Sequence, residues 1–265
     1  MPYTSPRDDG VSGSMNAFYL VLRPVRRSSC VGGSFSAGDQ RLHEFNHQPD
    51  RIDNMNSRQI KETRFWDKFA GNYDSFIKNT VSKTYGIILD NIGAELKHDQ
   101  TVLEIGTGTG ILSFALCTKV SSITASDISP EMIRIARKKQ KDLGIGNIDF
   151  QVQDCYSLKI PDGSFDVVIA SNLLHLLYEP EKPVNEVRRI LKSGGIFIAP
   201  TFCVGENLKS RIIASVAGAL SGFKIVNKWS VNGLKTFLQD NGFTIIRDEK
   251  IDGRFPLAYL VMKKS

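Results

Sequence analysis

Gly106, Gly108 and Gly110 stand at alternate positions directly after the apolar run Val102-Leu103-Glu104-Ile105 and just before the apolar run Ile111–Cys117. Glycine at such a junction lets the backbone turn sharply and leaves no side chain between main chain and ligand. Asp127 follows the short segment Ser122–Ala125, 17 residues past Gly110, and Asp154 follows Ile148–Val152. If these segments are strands of one sheet, a carboxylate beside the glycine turn can accept hydrogen bonds from ribose hydroxyls. An acid at the next tip along is within reach of an adenine amino group. Each acid alone is more often a helix cap or a solvated loop residue, and the turn alone reads also as a tight corner. At three successive tips they form a nucleoside site.

The elements that must hold these residues alternate along the chain. Thr101–Ile105, Ser122–Ala125, Ile148–Val152, Phe165–Ile169 and Gly195–Pro200 read as strands, and Ile111–Cys117 as a helix. Ser129 can cap a further helix with Pro130 at its first position and Met132, Ile135 and Ala136 on its inner face. Val184, Val187, Ile190 and Leu191 line another, stopped by Gly194-Gly195. Strands separated by helices argue for a parallel sheet covered on both faces. Ser230–Asn241 is a helix, and Phe243–Glu249 and Leu257–Lys263 are strands joined by too few residues for a parallel crossover, so they pair antiparallel. The expectation is an α/β, doubly wound Rossmann-like sheet of seven strands, mostly parallel with an antiparallel last strand. Residues 57–97 add a helical N-terminal cap, on the three- and four-residue spacing of Phe65, Phe69, Tyr73 and Phe76 and of Ile87, Ile88, Ile92 and Leu96.

The chain has 265 residues and a net charge of +6, with an apolar content ordinary for a globular protein. Residues 1–54 are foreign to the rest. They carry six Arg and no Lys against six acids, and Gly, Ser, Pro and Asp interrupt every apolar run. Such a segment cannot bury enough surface to offset its ordering entropy. We expect residues 1–54 to be an extension, and residues 55–265, opening at Met55, to be the functional domain. Loss of folding on starting the chain at Met55 would contradict this. Cys30, Cys117, Cys155 and Cys203 show neither metal nor disulfide-framework spacing, which favours a reduced, cytoplasmic protein without a metal site. No apolar run approaches the roughly 20 residues of a membrane span.

Glu104-Ile105-Gly106-Thr107-Gly108-Thr109-Gly110 resembles the first motif of the class I S-adenosylmethionine-dependent methyltransferases. Asp127-Ile128-Ser129-Pro130-Glu131-Met132 is similar to their second motif, Gln153-Asp154 to their third-strand acid, and Phe165–Ile169 with Leu191–Gly195 to their later signatures. Phe69-Ala70-Gly71-Asn72-Tyr73-Asp74 resembles the opening of the ubiquinone/menaquinone-biosynthesis type. The resemblance implies S-adenosyl-L-methionine as cofactor, held by Tyr73, Glu104, Gly106, Thr107, Gly108, Gly110, Asp127, Ile128, Met132, Asp154, Cys155 and Asn172. Gly106 and Gly108 would pass beneath the methionyl part, Asp127 hold the ribose, Ile128 pack on adenine, and Asp154 with the Cys155 backbone read its edge. Asn172 would face the methionyl end. Tyr73 would close over the cofactor, or serve as an aromatic of the cap's own core.

The cofactor's sulfonium is an activated methyl donor, so the protein's task is to align an acceptor and exclude water. A base is required only for an acceptor of high pKa, and His175 is the candidate catalytic residue, with a structural histidine among leucines as the alternative. Residues 203–229 carry Leu208, Ile212, Ile213, Val216 and Leu220 at helical spacing, then Phe223 and Trp229. They read as a lid over a partly apolar small-molecule acceptor, or as one more packed helix; a lipid-facing surface with Lys209, Arg211 and Lys224 is the lesser reading.

A nucleic-acid acceptor is not expected. Ser171-Asn172-Leu173-Leu174 lacks the Asn/Asp-Pro-Pro-aromatic pattern of exocyclic-amine methyltransferases, and Cys203 has no preceding proline. Arg134, Arg137, Lys138, Lys139 and Lys141 read as the solvated outer side of an amphipathic helix. The rival functions are a nicotinamide-dependent dehydrogenase, disfavoured by the glycine spacing and Asp154, and a non-catalytic module that binds S-adenosylmethionine or a partner.

Overall fold

The computed structural model describes residues 56–221, 225–253 and 255–265. The expected extension over residues 1–54 lies outside the described residues, as do Phe223, Lys224 and the side chains of Val216 and Leu220. Strands β1 (Thr101–Ile105), β2 (Ser122–Asp127), β3 (Ile148–Val152), β4 (Phe165–Ile169) and β5 (Leu191–Ile198) lie parallel in the order β3-β2-β1-β4-β5. After β1 the chain winds outward through β2 and β3; from β4 it winds the other way. The β1/β4 boundary is thus the switch point of the sheet, where a crevice opens at the strand tips.

The far edge differs from the expected seven strands. A short β6 (Thr201–Phe202) precedes β7 (Phe243–Ile251) and β8 (Leu257–Lys264), and β8 runs antiparallel to β5, β6 and β7, giving eight strands. Pro200, without an N–H to donate, interrupts the line of β5, and β6 continues it against the other end of β8. The start of β5 is also earlier than expected. Helix α5 (Glu181–Ile190) ends four residues before Gly194 because Leu191 is already extended and pairs with Phe165. Gly194 and Gly195 form a bulge within the strand, Gly194 at φ +76°.

The helical cap is two helices, α1 (Ser57–Thr80) and α2 (Ser82–Glu95), parted at Val81. Asn56 and Gln59 close the start of α1 as a capping box. Helices α3 (Ile111–Leu116) and α4 (Pro130–Leu143) cover one sheet face with α2. Helices α5 and α7 (Val231–Asp240) cover the other. Alternation along β1 divides its side chains between the faces, Val102 in the first core and Leu103 and Ile105 in the second, all fully buried. As expected, Ser129 caps α4, its hydroxyl accepting from the Met132 N–H at 3.1 Å.

In helix α6 (Leu208–Ser221), part of the expected lid over residues 203–229, Leu208 is 71% and Ile212 55% exposed and neither lines the two cavities described below, whereas Val204 and Ile225 of the same segment line one of them. Trp229 turns away to stack on Phe237, ring centroids 5.0 Å apart. The basic cluster of α4 is not wholly outward either. Arg134 and Lys138 pair along the helix with Glu131 and Asp142, whereas Arg137 donates to the Phe150 carbonyl and the partly buried Lys139 pairs with Asp74 of α1.

Candidate functional site

Parallel register brings the strand tips to one edge, with Ile105 opposite Ser126 and Asp127 opposite Val152. Gly106, Gly108 and Gly110 adopt φ of +70°, +56° and +83°, so the alternate glycines are required by the backbone itself. They do different work. A Cβ at Gly108 would lie 3.1 Å from the Tyr73 ring, and Gly106 and Gly108 line a cavity. A Cβ at Gly110 would lie 2.8 Å from Phe150 and 2.9 Å from Phe114, so this glycine serves core packing and does not line the cavity.

Asp127, the last residue of β2, reaches under the turn. Its Oδ2 accepts the Gly108 N–H at 2.8 Å and its Oδ1 the Ser129 N–H at 2.9 Å. Burial pushes its carboxyl up to about 6 against the pull of these donors. Glu104 sits deeper: its Oε2 accepts from Thr107 Oγ1 at 2.8 Å and from the Ser113 hydroxyl, and burial raises it to about 7. Glu104 and Thr107 brace the turn from behind without lining the cavity. The other expected cofactor residues, Tyr73, Ile128, Met132, Asp154, Cys155 and Asn172, line it together with Gly106, Gly108 and Asp127.

Asn172 leaves β4 with φ +52°, the single left-handed non-glycine among the described residues. Its N–H donates to the Pro200 carbonyl at 2.7 Å, and its buried side-chain amide stands beside the Tyr85 hydroxyl. Backbone strain of this kind persists where function requires it. A second, mostly apolar cavity adjoins the first, and Trp66, Tyr73, Asn172 and Leu176 line both. His175 lines the second. Its ring packs edge-on to Phe202 at 6.2 Å, its Nδ1 is buried and unpartnered, and desolvation pulls its pKa down to about 4.

Helix α1 straps these tips together through residues that, apart from Asp74, the sequence did not single out. Arg58 and Gln59 donate to Asp154, Asp67 accepts from Ser129 Oγ at 2.5 Å and the Glu131 N–H at 3.2 Å, and Asp74 pairs with Lys139 at 2.6 Å. Glu62 and Trp66 complete the cavity wall. The signal was available: carrying the spacing of Phe69 and Tyr73 back toward the N-terminus reaches Trp66, Glu62 and Arg58 on one helical face.

Residues 96–254 match the family described as a methyltransferase domain. The chain belongs to the class I methyltransferases. The cofactor of that family is S-adenosyl-L-methionine, and the donor set here suits it: a buried carboxylate for hydroxyls, apolar Ile128 and Met132 for a base, and bare backbone at Gly106 and Gly108. The methyltransferase domain is 32% identical over 140 residues to the ubiquinone/menaquinone biosynthesis C-methyltransferase UbiE of Hydrogenovibrio crunogenus, covering 49% of this chain and 54% of that one. It is 38% identical over 130 residues to a phosphatidylethanolamine N-methyltransferase of Cereibacter sphaeroides, covering 48% and 62%. The chain thus spans between half and two thirds of the length of these two relatives. Among solved structures, YcgJ of Bacillus subtilis aligns with TM-score 0.57 at 19% identity over 68% of this chain and 97% of that one. The [4+2]-cyclase SpnF aligns with TM-score 0.64 at 18% identity over 78% and 96%. These two establish the fold. Among the described residues, no helix is long and apolar enough to cross a membrane.

Proposed function

We propose that this chain transfers the methyl group of S-adenosylmethionine to an uncharged, partly apolar small molecule seated in the second cavity. One observation carries the reading: Tyr73 and Asn172 stand on the wall common to a polar, carboxylate-bearing cavity and an apolar one. A donor in the first and an acceptor in the second would meet there. No charged side chain among the described residues lines the second cavity, and His175 is neutral at physiological pH. The names of these relatives support only the partly apolar character, one acting in ubiquinone/menaquinone biosynthesis and the other on phosphatidylethanolamine, whose headgroup is charged.

In this reading Asp127 orients the ribose, Gly106 and Gly108 let the methionyl chain lie against the backbone, and Asn172 positions its end. The bound sulfonium supplies an activated methyl group. The aromatic wall of Trp66, Phe69, Phe76, Phe202 and Phe255 excludes water and aligns the acceptor. A histidine with a pKa near 4 is a poor store for a proton, so His175 Nδ1 accepts a hydrogen bond from the acceptor and orients it. Cys117, Cys155 and Cys203 are free thiols, which supports a cytoplasmic setting.

The test is incubation with methyl-labelled S-adenosylmethionine and a panel of uncharged apolar acceptors alongside charged ones, with the labelled product identified by mass. Label on an uncharged member is expected. Cofactor binding without transfer to any member would favour a binding module, and NAD binding in place of S-adenosylmethionine a dehydrogenase.

A further inference from the structure

Asp154, the acid expected to read the adenine edge, is already engaged. Its Oδ2 takes Gln59 Nε2 at 2.7 Å and the Arg58 guanidinium, and its Oδ1 takes the Tyr156 N–H at 3.1 Å. The Arg58 guanidinium is itself fixed, stacked 3.7 Å above the Tyr156 ring and paired through Nη1 with Glu62 Oε2 at 2.5 Å. Two donors on one carboxylate oxygen fill its lone pairs.

Glu62 is in the opposite condition. It lines the cofactor cavity one helical turn from Arg58, and with Oε2 committed to Arg58 its Oε1 is buried and has no hydrogen-bond partner. A buried acceptor in that state calls for a donor from whatever fills the cavity. The neighbouring wall is Asp154 and Cys155, where the adenine edge is expected, and the exocyclic amino group is the one hydrogen-bond donor on that base.

We infer that Glu62 Oε1 accepts a hydrogen bond from the adenine amino group, so that helix α1, and not Asp154 alone, confers selectivity for an adenine cofactor. Arg58 acts as the positioning residue: bridging Glu62 and Asp154, it holds Glu62 at the cavity wall by Oε2, leaves Oε1 uncommitted, and occupies Asp154. The inference rests on the cofactor assignment above and adds the residue that reads its base.

The test compares binding of S-adenosylhomocysteine with that of its purine-riboside analogue, which carries hydrogen in place of the amino group. Calorimetry on the full chain measures both. The wild type should prefer the adenine form by roughly ten- to a hundredfold, the range of a hydrogen bond to a charged group. Glu62→Ala should abolish most of that preference, and Glu62→Gln should weaken it, a neutral amide being the poorer acceptor. Because the preference is a ratio, loosening of Arg58 that affects both ligands alike cancels. Should Glu62→Ala fail to fold, the near-isosteric Glu62→Gln decides. A preference unchanged in the variants would overturn the inference and return the reading to Asp154. If the wild type bound neither ligand, the cofactor assignment would fall and this inference with it.

Discussion

Asp74 Oδ2 lies 2.6 Å from Lys139 Nζ, and the residue between the last two glycines of the turn is held by both partners. Thr109 donates its hydroxyl to Asp74 Oδ1 at 2.5 Å, and its carbonyl accepts from Lys139 at 3.3 Å. The cap helix, the glycine turn and α4 are thereby fastened at one point. Lys139 is only 12% exposed, and desolvation draws its pKa down while Asp74 raises it. Asp74→Ala leaves this ammonium with only the Thr109 carbonyl and no ionic partner, and should cost about 1–3 kcal/mol, less than a fully buried pair because Asp74 keeps some solvent. Urea unfolding measures the loss. The double variant Asp74→Ala/Lys139→Met should lose less than the sum of the single variants, and strict additivity would show that the pair is not coupled.

The glycines of the turn should separate in their effects. Gly110→Ala drives a Cβ against two buried aromatic rings at a left-handed φ, and should destabilise by about 2–3 kcal/mol. Gly108→Ala meets the Tyr73 ring at the cavity wall, and its main effect should be on affinity for S-adenosylhomocysteine. Thermal melting and calorimetry on both variants test this; equal losses of stability would contradict the division.

Asp127 should make cofactor binding pH-dependent. With a pKa of about 6 in the free protein it is ionised at pH 7.5 and largely protonated at pH 5. If ribose hydroxyls donate to the carboxylate, as proposed, binding favours the ionised form and lowers its pKa from this raised value. Affinity is therefore full above pH 7 and declines as pH falls through about 6, by up to about tenfold per unit. Asp127→Asn should weaken binding at pH 7.5 and flatten the profile. A profile unaltered in that variant would assign the dependence elsewhere.

His175→Ala removes the unpartnered Nδ1 at the wall of the apolar cavity, and His175 does not line the first one. Turnover should decline about tenfold or more while affinity for S-adenosylhomocysteine stays within a factor of about two. Because the imidazole is neutral down to about pH 4, its contribution should be constant from pH 6 to 9. Unchanged turnover would make it a packing residue.

Local pattern carried much of the architecture. The run into Gly106, the Ser129-Pro130 start of α4 and the alternation of strands with helices are determined over a few residues, where steric rules and burial act directly. Boundaries that depend on partners were less legible. Leu191 is a strand residue only because Phe165 lies beside it, and Gly194-Gly195 end no helix because β5 had already begun. The two-residue β6 depends on β8, more than fifty residues later in the chain.

For the site the same division holds. The order of residue types along the chain determined that Gly106, Gly108, Asp127 and Asp154 would converge at strand tips, since a parallel sheet brings successive tips to one edge whatever packs around it. Only the tertiary structure decided what stands opposite them. Helix α1 lies across three tips, filling Asp154 with Arg58 and Gln59, leaving Glu62 Oε1 open, and partly covering Lys139 on a helix face that reads as solvated. Those pairings join residues up to 96 positions apart, where loop closure and packing, not local periodicity, determine the neighbour.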